Sequence, residues 1–306
     1  MLTTRRVALI GLICAPAIAE AGALVPRPDL VEPFTPDLQA QLFRRRMPFL
    51  ATFQHGSMKL GFAAVMHATD ENDSSFATIR GAFDRIQPQR VILEGFPAAW
   101  GDAPSRIVNL ARNRMAPDAD AYARSEAVYA AALALDRQIP FAGGEMPESE
   151  LVDLLAAQGF ARTDQFNVML IKVLEQEMRG GAFVRPEGRA FEEALGRWIP
   201  MLAQTHGVEP TTQDAFGAWF LATFGTTLAG DDTWYERAWP VGNGIGGRIA
   251  RAQSLARDRF LYGQIIAALN RSERVLVAYG GSHLAGIWRA LVAVLGEPEL
   301  TDPPPG

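Results

Sequence analysis

Cysteine is almost absent from this sequence of 306 residues, which contains a single one, Cys14. A lone cysteine cannot form an internal disulfide, and it cannot make the thiolate cluster of a structural zinc site. Cys14 also lies in an N-terminal segment that we expect to be removed. The mature chain would then contain no cysteine, which excludes disulfides, thiolate catalysis and thiolate metal sites together.

That N-terminal segment has the composition of a secretory signal peptide. Arg5 and Arg6 precede the apolar run VALIGLICAPAIA, which ends in the small-residue triplet AIA at 17–19. A buried first helix is the alternative interpretation. The run is shorter than the roughly 20 apolar residues that a membrane span needs. Residues 1–19 therefore predict a signal peptide, a periplasmic or secreted bacterial protein, and no stable membrane span after cleavage.

The sequence also lacks an excess of positive charge. Its formal net charge is −5 and its pI is about 5.5, which argues against a nucleic-acid partner. Cleavage after residue 19 would remove two arginines and no acidic residue, which takes the formal charge to −7. Since 48% of the residues are hydrophobic, the chain can bury a substantial core, and we expect one large domain.

Short apolar runs and amphipathic runs alternate in the first half of the chain. MPFLATFQ and KLGFAAVMH flank the turn at 55–57 and predict a β-hairpin. The next run, DENDSSFATIRGAFDRIQPQ, predicts a helix that Asp73 or Ser74 caps, and RVILE then predicts a strand. The two strands that flank this helix should be parallel. The apolar face of the helix is formed by Phe76, Ile79, Phe83 and Ile86.

The whole pattern predicts an α/β fold with a central mixed β-sheet and helices on both faces. IPFAGGE and RVLVAYGGSH supply two further strands, and the stretch from about 160 to 245 reads as a helical insertion. We expect a proline-rich extended arm at 20–45, a single domain at 46–300 and a flexible tail at 301–306.

Four of the strand-like runs end in a residue that can bind a metal or move a proton. These residues are His67, Glu94, Glu145 and His283. Taken singly, each has a plain structural alternative, such as a hydrogen-bonded histidine or a helix-capping glutamate. Ligands of open α/β sheets bind beyond the carboxyl ends of parallel strands, so we expect the four side chains to meet in one solvent-filled cleft. Two imidazoles and two carboxylates there suit metal-assisted or general acid–base chemistry.

Two further motifs lie ahead of the last strand. Arg257 belongs to the helical run RIARAQSLARDRFLYGQIIAALN and could reach a carboxylate or a developing oxyanion; a solvated arginine is the alternative, and so is a role for Arg259 instead. GNGIGG at 242–247 matches a dinucleotide-binding pattern in letters only, because no apolar strand precedes it. We interpret it as a mobile loop. Three aromatic residues lie just before it, Trp234, Tyr235 and Trp239. We favour packing against the insertion as their role.

These motifs resemble the superfamily that includes TraB and Tiki proteins, ChaN-like haem-binding proteins and erythromycin-esterase-like enzymes. The resemblance spans roughly residues 48 to 296, and its most specific part is the C-terminal motif GGSHLAG. The other shared motifs are AVMH at 64–67, VILEG at 91–95 and RDRFL at 257–261. The sequence departs from the esterases in one respect. They carry a glutamate three residues before the first histidine, and this chain has Ala64 there, with Asp70, Glu71 and Asp73 downstream.

The resemblance implies catalytic roles for His67, Glu94, Arg257 and His283, and a metal site formed by His67, Glu94, Glu145 and His283. The function expected from it is hydrolysis of a peptide, ester or lactone bond in a small-molecule or peptide substrate, with a divalent metal ion as a candidate cofactor. Either histidine could act as the general base on water, with Glu94 orienting it and Arg257 stabilising the oxyanion. The alternative is a non-enzymatic periplasmic binder of haem or a metal, and a third reading is a degenerate member with a structural role only.

Overall fold

The computed structural model describes residues 23–35, 37–38, 47–119, 122–271 and 274–303. The predicted signal peptide lies outside these residues, and so does much of the expected arm at 20–45. Within the described part, Leu24 and Val31 are buried in the core of the domain. At least these two positions of the arm therefore pack against the body of the protein.

Six strands form one mixed sheet in the order β4-β3-β5-β2-β1-β6. β2, β5, β3 and β4 are parallel neighbours, and β1 is antiparallel to both β2 and β6. This arrangement confirms the mixed α/β sheet that the sequence predicts. The strands are β1 (Phe49–His55), β2 (Met58–Val65), β3 (Arg90–Pro97), β4 (Phe141–Glu145), β5 (Arg274–Gly280) and β6 (Glu299–Thr301).

Helices cover both faces of this sheet. One apolar cluster joins the sheet to α8 and α9, and a second joins the opposite face to α1, α2 and α3. None of the described helices is long and apolar enough to cross a membrane. In chain order the helices are α1 (Ser74–Ile86), α2 (Ser105–Asn113), α3 (Glu126–Asp136), α4 (Glu148–Ala157), α5 (Arg162–Arg179), α6 (Arg189–His206), α7 (Gln213–Phe224), α8 (Ile245–Leu269) and α9 (Gly281–Leu295).

The predicted hairpin and the helix that follows it are both confirmed. β1 pairs with β2 through a turn at Gly56 and Ser57. Asp73 caps α1 by accepting a hydrogen bond from the backbone N–H of Ser75, which satisfies one of the free donors at the helix start. The four predicted apolar positions of α1 are buried, and Gly61 of β2 leaves room for Ile86, since a Cβ at Gly61 would lie 2.4 Å from its side chain.

The insertion between β4 and β5 is helical and has its own apolar core. α5, α6 and α7 lie within the predicted limits, and Phe166, Leu195, Phe216 and Trp234 are among the side chains packed together there. Burial of Trp234 supports packing as the role of this aromatic residue. The insertion thus forms a second hydrophobic core beside the carboxyl edge of the sheet.

Two local predictions are wrong. The flexible tail was expected to begin at residue 301, but Glu299–Thr301 pairs with β1 as an edge strand. The GNGIGG segment is not simply a mobile loop, because Gly246 and Gly247 are buried in the first turn of α8. A Cβ on Gly247 would lie 2.0 Å from the carbonyl oxygen of Gly242, so the glycines allow a close backbone contact.

Candidate functional site

The four predicted strand-end residues lie at one edge of the sheet. The parallel strands β2, β5, β3 and β4 are adjacent, so their carboxyl ends point to the same edge. His67 follows β2, Glu94 lies in β3, Glu145 ends β4, and His283 lies in the first turn of α9, directly after β5. The two histidines therefore come from neighbouring strands.

His67 is paired with a buried carboxylate that the sequence did not single out. Its Nδ1 lies 2.7 Å from Oε1 of Glu126, and the other oxygen of Glu126 accepts a hydrogen bond of 3.2 Å from the backbone N–H of Ala68. The His67 side chain is 73% exposed, whereas that of Glu126 is 4% exposed. The bond to Glu126 raises the pKa of His67 to about 9. Glu126 therefore orients an imidazole that solvent can reach.

His283 lies between two carboxylates. Its Nδ1 is 2.5 Å from Oδ1 of Asp258, and its Nε2 is 3.5 Å from Oε1 of Glu94. Burial opposes a charge on this imidazole, but the charge and hydrogen bond of Asp258 outweigh it and raise the pKa of His283 to about 10. The Glu94 carboxylate, which also accepts a 2.5 Å hydrogen bond from the Gly280 N–H, has its pKa lowered to about 2, because His283 more than offsets the effect of burial.

Arg257 holds Glu145 with two parallel hydrogen bonds. Nε donates to Oε2 over 2.9 Å, and Nη2 donates to Oε1 over 2.7 Å. The side chain of Arg257 is 35% exposed and that of Glu145 is 12% exposed. Burial acts to raise the pKa of Glu145, but the charge of Arg257 lowers it overall, so the carboxylate is ionised. The bidentate pair fixes the guanidinium plane at the edge of the site.

Tyr279 lies beneath these groups. Its residue is 1% exposed, its ring meets that of His283 edge to face at 5.2 Å, and a Cβ on Gly144 would lie 2.8 Å from its hydroxyl oxygen. Burial and the nearby charges of Glu145 and Glu94 raise the pKa of this phenol well above its ordinary value. No well-aligned hydrogen-bond partner for the hydroxyl exists among the described residues. Tyr279 thus remains neutral at the floor of the site.

A close contact between α8 and α9 makes the His283–Asp258 pair feasible. A Cβ on Gly286 would lie 2.5 Å from Oδ2 of Asp258. Asp258 is fully buried, and Ser254 donates a 3.1 Å hydrogen bond to the same oxygen. Only glycine at 286 leaves space for the carboxylate that holds His283.

The residues that could together hold a metal ion differ from the predicted set. Ligand atoms of His67, Glu94 and Glu126 all lie within 4.8 Å of one another. Of the other predicted ligands, Glu145 is engaged by Arg257, and His283 has a carboxylate at each ring nitrogen. One imidazole nitrogen and two carboxylate oxygens are a donor set that suits divalent manganese, iron or zinc.

The structure also resolves the departure from the esterase motif. Ala64 lies in β2 and is fully buried, so no carboxylate reaches His67 from that position. The downstream acids are used elsewhere, since Asp73 caps α1 and Glu71 pairs with Arg114. The carboxylate partner of His67 comes instead from Glu126, at the first turn of α3.

Sequence reasoning missed Glu126, Asp258 and Tyr279. For two of them, the sequence contained a weak signal of a functional role. Glu126 opens an otherwise apolar helix, EAVYAAALAL, where a carboxylate would be buried, and Asp258 immediately follows the predicted Arg257. The patterns place Glu126 and Asp258 on helices, but they do not say which histidine each would face.

Comparison of the chain with protein-family models, with curated proteins and with solved structures found no match. The resemblance to the TraB and Tiki superfamily stays a prediction that rests on the shared motifs. What the protein does has to be inferred from the chemistry of the site.

Proposed function

We propose that this protein is a hydrolase of the TraB, Tiki and erythromycin-esterase-like type that activates water on an ester, lactone or peptide bond. One observation carries the proposal: a solvent-exposed imidazole, oriented by a buried carboxylate, lies beside the ionised carboxylate of Glu94. General bases need this combination of fixed orientation and access to water.

His67 is the base in this proposal, acting in its neutral form, which its pKa of about 9 makes the main form only at alkaline pH. Its Nδ1 is engaged by Glu126, and Nε2 has no hydrogen-bond partner among the described residues, so Nε2 is the nitrogen that takes a proton from water. Glu126 stabilises the imidazolium that forms, as a carboxylate behind a catalytic histidine does. The neighbouring Glu94 orients the attacking water.

His283 does not suit the role of base, although the sequence allowed either histidine to fill it. Both of its ring nitrogens face carboxylates, so neither is free to take a proton from water. We assign it as a positioning residue that keeps Glu94 ionised and fixed.

Arg257 supplies positive charge for the oxyanion. Glu145 engages Nε and Nη2, which leaves Nη1 for a developing negative charge on the substrate. A donor that is already fixed costs no reorganisation when that charge forms.

A divalent cation fits the donor set of His67, Glu94 and Glu126, and His67 would then be a ligand of the ion instead of the base. When bound, such an ion would act as a Lewis acid and lower the pKa of its water. The chain's part would be to hold the ion and to keep both carboxylates deprotonated.

Hydrolysis can be tested with the purified chain against nitrophenyl esters, lactones and peptides, with and without added Mn²⁺ or Zn²⁺. We expect Glu94→Gln to lower kcat/KM by roughly 10²–10³-fold, since the orienting or ligating charge is removed while the shape is kept. The matched control is Glu71→Gln, because Glu71 pairs with Arg114 outside the site. Absence of turnover on every class, or turnover unaffected by Glu94→Gln, would contradict the proposal.

One observation favours the ChaN-like alternative. An exposed imidazole whose Nδ1 is held by a carboxylate also suits axial ligation of haem iron through Nε2. Titration with haem would then give a Soret band that His67→Ala abolishes. No such band is expected if the site is hydrolytic.

A further inference from the structure

Lysine is scarce in this chain, and one of its two lysines is buried beside the site. Of the 29 basic residues, 27 are arginines, and the two lysines are Lys59 and Lys172. Lys59 is also half-buried, but its hydrogen bond to the Arg85 carbonyl is exposed. Lys172 lies on α5 in the helical insertion, half-buried, and its Nζ donates a 2.6 Å hydrogen bond to Oε1 of Gln253.

Gln253 connects Lys172 to the site. It lies on α8 one turn before Arg257, so the two side chains share a face of that helix, and it is 3% exposed. Burial, followed by repulsion from Arg257, lowers the pKa of Lys172 to about 8. Two cationic groups from different helices are thus held close together at the edge of the site.

Lys172 has no ion-pair partner among the residues that the structure describes, although Glu148 and Glu175 are near enough to act on its charge. Glu175 is engaged by Trp239 and Arg179. An ammonium group has three donors, and only one is used here, on a neutral amide. Burying a cation without a partner costs free energy, and placing it beside a second cation adds to that cost.

Both costs are removed if an anion binds between the two groups. We propose that Lys172, beside the guanidinium of Arg257, forms a subsite for a carboxylate group of the substrate, so that the preferred substrate is an acidic ester, lactone or peptide. This inference rests on the proposed hydrolytic function, since only that function makes the bound anion part of a substrate. Binding of the anion itself can be tested without turnover. Lys172 is then a specificity-determining residue, and Gln253 positions it.

The two lysines make a direct test practical. The full chain is acetylated with a trace of acetic anhydride, and the rate at each lysine is read by mass spectrometry, with glutarate or with its neutral analogue glutaramide at equal ionic strength. We expect glutarate to slow acetylation of Lys172 at least about fivefold and to leave Lys59 unchanged, since a bound carboxylate favours the unreactive ammonium form. Glutaramide should protect neither lysine.

Variants give the second measurement. Calorimetric binding of glutarate should be lost in Lys172→Met, which keeps the aliphatic stem, and retained in Lys172→Arg, while Lys59→Met serves as the control. The proposal would be overturned if glutarate does not protect Lys172, if glutaramide protects it equally, or if both lysines are protected equally. The labelling experiment uses the parent protein, so it tests the proposal even if Lys172→Met fails to fold.

The same assays separate the two proposals. If acidic and neutral esters are hydrolysed equally well and Lys172 is not protected, the subsite is wrong while hydrolysis stands. If no ester, lactone or peptide is hydrolysed but glutarate protects Lys172, the hydrolytic function fails and the anion site stands.

Discussion

The two histidines of the site share a type of partner and differ in their surroundings. The His67 side chain is largely exposed and pairs with the carboxylate of Glu126. The His283 side chain is 11% exposed and pairs with fully buried Asp258. The sequence predicted that both line a solvent-filled cleft. The structure restricts this expectation to His67.

We therefore expect His67→Ala to cost about 1–2 kcal/mol of unfolding free energy, since it removes little packing but one of the two hydrogen bonds to buried Glu126. His283→Ala should cost about 3–5 kcal/mol, because it leaves the charges of Asp258 and Glu94 buried without their partner. Urea denaturation of both variants measures the difference. The double variant His283→Ala with Asp258→Ala should recover part of the loss, and equal costs for the two single variants would contradict the structure.

His206 gives a separate prediction at the residue scale. It is fully buried at the end of α6, where Nδ1 donates to the Leu202 carbonyl over 2.8 Å, and Nε2 has no hydrogen-bond partner in the described part of the chain. Burial lowers the pKa of this imidazole. His206 is therefore a neutral side chain at the end of α6.

The pH dependence follows from that lowered pKa. As pH falls below about 6.5, the unfolded chain protonates at His206 while the folded chain does not, so stability decreases. We expect His206→Leu to flatten the dependence of unfolding free energy on pH below 6.5 by up to about 1.4 kcal/mol per unit relative to the parent. His55→Gln, at the exposed end of β1, is the control. Parallel pH curves for the parent and His206→Leu would disprove a buried neutral imidazole.

At the scale of elements, α8 does more than carry Arg257. Its first turn packs against the preceding segment, its middle supplies Gln253, Arg257 and Asp258, and its last turns pack on the sheet. The register of this helix therefore sets three site residues at once. Two glycines of this helix are expected to respond in opposite ways to an added Cβ.

These glycines form a matched pair of variants. Gly247→Ala should destabilise the protein by about 1–3 kcal/mol, because the added Cβ would lie 2.0 Å from a backbone carbonyl oxygen. Gly263→Ala should stabilise it by about 0.5–1 kcal/mol, since that position is exposed, helical and has open space around it. Thermal unfolding of both variants gives the comparison, and a shift in the same direction for both would count against the register of α8.

At the scale of the whole molecule, the site lies where the sheet edge meets the insertion. Sheet strands supply Glu94, Glu145 and Tyr279, while the insertion helix α5 supplies Lys172. The sheet part of the site follows a general rule for parallel strands. Under the proposed function, the helices placed over that edge would select the substrate.

Export is a prediction about the whole chain, and the segment concerned lies outside the described residues. Because small residues end the apolar run at 17–19, the mature protein should begin near residue 20 and be found in the periplasm. N-terminal sequencing of the native protein checks this. Ala19→Phe should block processing and Ala23→Phe should not, and recovery of residues 1–10 in the mature protein would end the claim.

Five of the six strands, the first helix and the four strand-end residues could be assigned from the sequence. Apolar periodicity and capping are local properties, and Asp73, Phe76 and Ile79 behave as their spacing predicts. A strand that ends in His or Glu is also a local pattern, so His67 and Glu94 could be selected without coordinates.

Tertiary structure alone decided how those residues are paired. Glu126 lies 59 positions from His67, and Asp258 lies 25 from His283. Nothing local chooses these partners, because the choice depends on how α3 and α8 pack against the sheet. Burial then sets the chemistry: with similar carboxylate partners, exposure leaves His67 open to water, and enclosure between two carboxylates makes His283 a fixed cation.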